Sequence, residues 1–172
     1  ELDTINLAIS GAMIQMISHG LISAALFLSI GVMYDRLHTR NIEDYGGIVT
    51  KMPRFSVLMV FFALSNAALP GTSGFVGELT VILASFKVNI YIALLSALTL
   101  IIGAAYTLWM IKRVIFGAVT NEKINSLSDM KLIEAIPLSL IAILILLIGV
   151  WPKPLTDTMN STILALSYLV NG

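Results

Sequence analysis

The chain of 172 residues is 58% hydrophobic and only 12% charged, with a net charge of zero and a mean hydropathy of +0.94. A soluble domain carries about 25% charged residues, so charge this sparse cannot cover a surface in water; the composition is that of an integral membrane protein. The balanced charge leaves no basic field for nucleic acid, and the lack of cysteine excludes disulfides, thiolate zinc sites and iron–sulfur ligation by this chain.

The opening residues, ELDTINLAIS, show no initiator Met and no basic region before a short apolar core. They read as a loop entering a helix, without a signal peptide, and as part of a longer polypeptide. A spanning helix needs about 20 mostly apolar residues. The first such segment runs from about Ile5 to Tyr34, with His19 as its one ionisable interior residue. Histidine titrates near neutral pH and passes protons through either ring nitrogen. Gln15 and Ser23 lie four residues to either side of it, so a helix stacks all three on one side. The plainer reading of His19 is a core histidine bonded to a serine or a carbonyl.

The second span, from about Phe55 to Phe86, is interrupted by Pro70-Gly71 and holds Glu78. A carboxylate in hydrocarbon is costly, so such residues face a bundle interior or water and mark ion pathways. The alternative is a Glu at a helix end that snorkels or pairs with a neighbouring chain. Proline removes a backbone donor, and Gly71 and Gly74 loosen the chain. Polar backbone at membrane depth is tolerated only where protein or water satisfies it, a device that recurs at ion sites in transporters. The break would place the positive end of a half-helix just before Glu78, favouring the carboxylate, while burial opposes it. Lys87 follows nine residues after Glu78, about 13 Å along a helix, and reads as an interface anchor with an accessory role open to it.

The third span covers about Val88 to Ile111 and follows so closely that the second and third form a tight antiparallel hairpin. Tyr106, Thr107 and Trp109 read as packing residues. The fourth span covers about Ala135 to Trp151, and Leu155 to Val170 forms a short interfacial or packed helix. The expected fold is therefore all-α: a polytopic transmembrane bundle of four spanning helices, the second broken, with a short C-terminal helix. It forms one membrane domain over residues 1–172.

Of the ten basic residues, Arg36, Arg40, Lys51, Arg54, Lys112, Arg113, Lys123 and Lys131 fall in two loops, and only Lys87 and Lys153 fall on the other side. Basic loops stay on the cytoplasmic or matrix side, which directs the N-terminus outward. No phosphate-binding glycine loop, metal-ligand cluster or nucleophile–histidine–acid set is visible.

The segments GAMIQMISHGLISAALFLSIGVMYDRLHTR, GGIVTKMP and LPGTSGFVGELTVILASF closely resemble the C-terminal part of the antiporter-like subunits of respiratory complex I, the chain M or chain 4 type. The resemblance covers nearly the whole chain and weakens after Trp151. It implies a longer subunit of fourteen transmembrane helices with two inverted five-helix repeats, of which this chain holds the last four helices. It also implies that Glu78 is the distal proton site on the broken helix and His19 a relay on the helix before it. NADH, FMN, iron–sulfur clusters and quinone are then expected on partner subunits, with none in this chain. The expected partners are the other complex I membrane subunits, the N-terminal part of the same subunit and the lipid bilayer. The expected location is the bacterial plasma membrane or the mitochondrial inner membrane. The competing readings are a subunit of a multisubunit cation/proton antiporter or an energy-converting hydrogenase, and a non-functional gene fragment.

Overall fold

The computed structural model describes residues 2–119 and 121–171; Glu1, where the expected entry loop begins, Thr120 and Gly172 lie outside the described residues. Six α-helices follow in order: α1 (Leu2–Leu37), α2 (Pro53–Asn66), α3 (Ser73–Val88), α4 (Ile90–Val114), α5 (Leu132–Val150) and α6 (Lys153–Asn171). Single 3-10 turns at Ile42–Asp44, Ile48–Thr50 and Glu122–Ser126 lie in the connections, and no strand occurs among the described residues. The expected all-α bundle is the observed one.

Helix α1 is already helical at Leu2, where Asp3 in the first turn complements the positive helix end. It leaves no room for the loop expected there. Its far end closes at His38, whose φ of 54° is left-handed and whose N–H reaches Tyr34 O at 2.7 Å. Helix α2 starts on Pro53, which suits a first helical position because its missing donor is not needed there. The next two amides, Arg54 N and Phe55 N, are capped by the Asp129 carboxylate at 2.9 and 3.2 Å.

Helices α1, α4 and α5 are each long and apolar enough to cross a membrane. Helices α2 and α3, with 14 and 16 residues, are about 21 and 24 Å long at 1.5 Å per residue, too short for a hydrocarbon core of about 30 Å. Their placement along α1 resolves this. Val32 and Met33 share a buried cluster with Phe55 and Met59, and Ile22 and Ala25 share one with Phe62. Further down α1, Ile22 meets Gly74, Gln15 meets Gly77, and Gly11 meets Thr80 and Val81. As α1 numbers fall, α2 and then α3 numbers rise, so both run antiparallel to α1, one after the other. They form a single discontinuous span backed by one long helix, as the proline break predicts.

The break itself has a defined geometry. Helix α2 ends with Ala68 N on Ser65 O (3.2 Å) and Leu69 N on Leu64 O (3.0 Å). This is the paired 6→1 and 5→2 bonding of a Schellman motif. Ala68, with φ 56°, occupies the left-handed position that glycine usually holds. Gly71 has φ 92°, a conformation open to glycine and costly to other residues. On one side the break is covered by α5: a β-carbon on Gly149 would overlap Gly71 O and lie 2.5 Å from Thr72 Cα.

Helix α4 returns from α3 through Asn89 alone. Its side chain caps α4 by accepting from Tyr91 N (2.8 Å) and Ile92 N (3.4 Å), which is the tight hairpin expected. At the basic end the two loops fold onto each other. Ile48, Met52, Ile115 and Ile124 are buried together, and Val49 N donates to Ile115 O at 3.3 Å. Arg36 reaches across this end to a bidentate pair with Glu134 at 3.0 and 2.8 Å, and also donates to Ser128 O and Asp129 O. This ties α1 to α5. Helix α6 lays Met159 and Ile163 against Ile14 of α1. Leu94, Leu95 and Ile101 on α4 and Ile133, Ile136 and Leu140 on α5 are left exposed, as lipid-facing positions of a bundle are.

Candidate functional site

Since α3 lies antiparallel to α1, residues in the second turn of α3 face the middle of α1. Gly77 makes the approach close. A β-carbon there would stand 2.9 Å from both Gln15 Cα and Gln15 N and would overlap Gln15 Oε1. The next residue, Glu78, accepts a hydrogen bond from Gln15 Nε2 at 3.1 Å. Gln15 Oε1 is itself buried and without a protein partner, so the amide presents one free acceptor beside the carboxylate.

A cavity of about 390 Å3 opens where the two halves of the broken span meet. It is lined by Gln15, His19 and Glu78, by Asn66 and Gly74 at the break, and by Gly103 and Tyr106 of α4. The two titratable residues singled out in the sequence, His19 and Glu78, therefore share one space with the break. Water occupies about 30 Å3 per molecule in the liquid, so the cavity has room for several. A second cavity of about 230 Å3 is lined by Gln15, Glu78, Val81, Ile82, Ser96 and Thr99. Gln15, Glu78 and Thr99 border both. Glu78 thus stands at the wall between a space reaching the break and a space reaching towards the α3–α4 turn.

The remaining predicted residues fall as follows. Ser23 Oγ lies 3.3 Å from His19 Nε2 one turn along α1, and Ser23 borders neither cavity. His19 is exposed at the open side of the larger cavity. Gly74 lines the larger cavity, and a β-carbon there would meet Ser65 O at 2.7 Å. Pro70 and Gly71 shape the break without lining either cavity. Lys87 is exposed in the last turn of α3 and also borders neither.

Two residues expected to pack do more than that. Asn66 Nδ2 donates to Tyr106 OH at 3.2 Å and to Thr107 Oγ1 at 3.4 Å, which joins the end of α2 to α4. Thr107 is buried, whereas Tyr106 is exposed and lines the larger cavity. Thr99, Gly103 and Tyr106 recur at helical spacing on one face of α4. That stripe of hydroxyl and small residues was the available signal in the sequence. No group of three or more His, Cys, Asp or Glu side chains converges among the described residues.

The transmembrane family described as NADH:quinone oxidoreductase/Mrp antiporter matches residues 3–103, which include α1, the broken span and the first half of α4. The chain belongs to this family. Among the curated relatives of this transmembrane family, the NADH-quinone oxidoreductase subunit M of Rhodobacter capsulatus is 44% identical over 155 residues, 90% of this chain and 30% of its own length. The NADH-ubiquinone oxidoreductase chain 4 of Arabidopsis thaliana is 41% identical over 155 residues, with 90% and 31% covered. The chain therefore spans about a third of the length of the curated relatives it matches. A chain of the respiratory complex I of Thermus thermophilus with bound NADH superposes with a TM-score of 0.87 at 26% identity, over 98% of this chain and 35% of that one. A chain of the Mrp complex of Dietzia superposes with a TM-score of 0.81 at 19% identity, over 95% and 38%, which shows a common fold. Family, helices and relatives from bacteria and mitochondria together make this a multi-pass membrane protein.

Proposed function

We propose that this chain is part of the proton-translocating membrane arm of an NADH:quinone oxidoreductase, in which His19 and Glu78 relay protons towards the outer side. The observation that carries the reading is the position of Glu78 at the wall between two cavities, one of which it shares with His19 and the helix break. A proton arrives along hydrated groups that include His19, rests on Glu78, and leaves towards the α3–α4 turn when neighbouring charges change. Gln15 orients the carboxylate through its hydrogen bond, Ser23 holds the imidazole, and Lys87 marks the outer end of α3 as an accessory charge. Pro70, Gly71 and Gly74 keep the break open.

On this reading the chain carries out no redox chemistry of its own. NADH, FMN, iron–sulfur clusters and quinone act on partner subunits, and the energy reaches Glu78 through the membrane arm. The partners are the other membrane subunits of complex I and the remaining, N-terminal length of the same subunit. The family description covers both kinds of complex, but the relatives at 41–44% identity bear NADH:quinone oxidoreductase names, whereas the Mrp chain is similar at 19% identity, in fold alone. The complex I reading is therefore preferred over a cation/proton antiporter.

The test is Glu78→Gln in the full-length subunit within the assembled complex, with proton translocation measured alongside quinone reduction. Pumping is expected to fall at least tenfold at normal assembly; unimpaired pumping would sink the proposed role. His19→Met is expected to do less harm, because water in the shared cavity can bypass one relay member.

A further inference from the structure

We infer that Tyr106, held by Asn66 at the helix break, is a proton relay at the inner mouth of the Glu78 cavity. The inference rests on the proposed role of Glu78 and adds to it the group through which protons enter.

The placement follows from the antiparallel packing of α3 and α4. Glu78 borders a cavity with Ser96 and Thr99, while Asn66, at the end of α2, bonds Tyr106 and Thr107. Tyr106 therefore lies about two helical turns from the level of Thr99, some 10 Å at 1.5 Å per residue, on the side of the basic loops. Gln15 pairs with Glu78, and Ile22 meets Gly74 at the break. His19 lies between these two levels of α1. From the basic end outward the order is Tyr106 with Asn66, then His19, then Glu78 with Gln15 and Thr99. All six line the larger cavity.

The hydrogen bonding leaves the phenol free for transfer. Asn66 Nδ2 donates to Tyr106 OH, which occupies an acceptor site of the oxygen and leaves its own O–H available to the cavity. A phenol is both donor and acceptor. It passes a proton without changing its net charge: its O–H bond breaks as the proton moves to cavity water leading to His19, and a new O–H bond forms with a proton taken from the inner side. The Asn66 donor holds the oxygen in place while the two transfers occur together. Gly103, one turn from Tyr106 towards Thr99, keeps the space between them clear; a β-carbon there would meet nothing within 4 Å.

The experiment is Tyr106→Phe in the full-length subunit of the assembled complex, with Asn66→Ala as a second variant and Glu78→Gln in parallel. Phenylalanine keeps every ring carbon, so a packing role would be retained. Proton translocation per quinone reduced is expected to fall three- to tenfold in Tyr106→Phe and two- to threefold in Asn66→Ala. The solvent deuterium isotope effect on pumping is expected to change in both, which a packing role would not produce. Wild-type pumping and an unchanged isotope effect in Tyr106→Phe, while Glu78→Gln abolishes pumping, overturn the tyrosine relay and leave the Glu78 reading standing. Wild-type pumping in Glu78→Gln overturns both.

Discussion

Gly77→Ala puts the contact between α1 and α3 to a quantitative test. The added methyl would stand 2.9 Å from Gln15 Cα and N, where ordinary carbon contacts lie at about 3.5–4.0 Å. The helices must separate by roughly 0.5–1 Å, and overpacking of this kind costs about 1–3 kcal/mol. Alanine recovers about 0.8–1.0 kcal/mol through its better helix propensity. The net loss of stability is therefore modest, about 1 kcal/mol. The functional loss should exceed it, because the methyl would also overlap Gln15 Oε1, and the amide that holds Glu78 at 3.1 Å must turn away. In proteoliposomes of the assembled complex, pumping per quinone reduced should fall several-fold, with only a small drop in the thermal midpoint. Gly103→Ala is the matched control: nothing lies within 4 Å of its β-carbon, so wild-type pumping and unchanged or slightly higher stability are expected. Wild-type pumping in Gly77→Ala would refute the claim that Gln15 positions Glu78.

Gly103→Leu extends the same logic into the larger cavity. The side chain enters open space lined by Glu78 and Tyr106, so it should exclude water and suppress pumping while the helix folds normally, as read by assembly on a native gel. Arg36→Ala addresses stability alone. It removes both guanidinium donors to Glu134, which keeps only the Lys131 N–H, in a site where the two side chains are 11% and 20% exposed, and removes the donors to Ser128 O and Asp129 O. The loss is about 2 kcal/mol, below that of breaking a fully buried pair because both side chains are only part-buried, measured as a fall in thermal midpoint of the purified complex. Arg36→Lys should recover only part of it, since an ammonium lacks the planar fork.

What could be read in the sequence followed from penalties that the membrane imposes locally. A carboxylate and a Pro-Gly break inside one apolar run stand out because each is costly there, and both land on the site. The hairpin through Asn89 was legible for a similar reason, since too few residues remain for any other connection. Pairings between distant segments carried no such mark. Asn66 and Tyr106 lie 40 residues apart, and Arg36 and Glu134 lie 98 apart. Tyrosine within an apolar helix also reads as an ordinary packing residue. Asp129 as the cap of α2 was equally hidden, because the cap comes from a loop 75 residues downstream. The sequence reading ended the first span at about Ile5 and Tyr34, beside the polar residues at either end, whereas α1 runs Leu2–Leu37 and its 36 residues exceed the roughly 20 that a bilayer needs. The excess follows from its second task, backing both halves of a broken partner.

The structure also changes the account of why Glu78 is tolerated. The sequence suggests that the positive end of a half-helix lies just before the carboxylate. In the fold, α3 begins at Ser73 with no side-chain cap from Thr72, and Glu78 lies six residues past Thr72, about 9 Å along the axis. A helix dipole acts mainly within the first turn, so its direct effect on Glu78 is small. The carboxylate is served instead by Gln15, brought within reach by Gly77, and by cavity space on two sides. The break contributes through geometry. By ending α2 in a Schellman motif at Ala68 and restarting the helix at Ser73, it opens the space between Asn66 and Gly74 that a continuous helix would fill with side chains. The charge and the break are thus coupled through the cavity they share rather than through the helix dipole. Shortening the reach of Gln15 or filling the space beside Gly103 should therefore disable the site more effectively than altering the residues that cap α3.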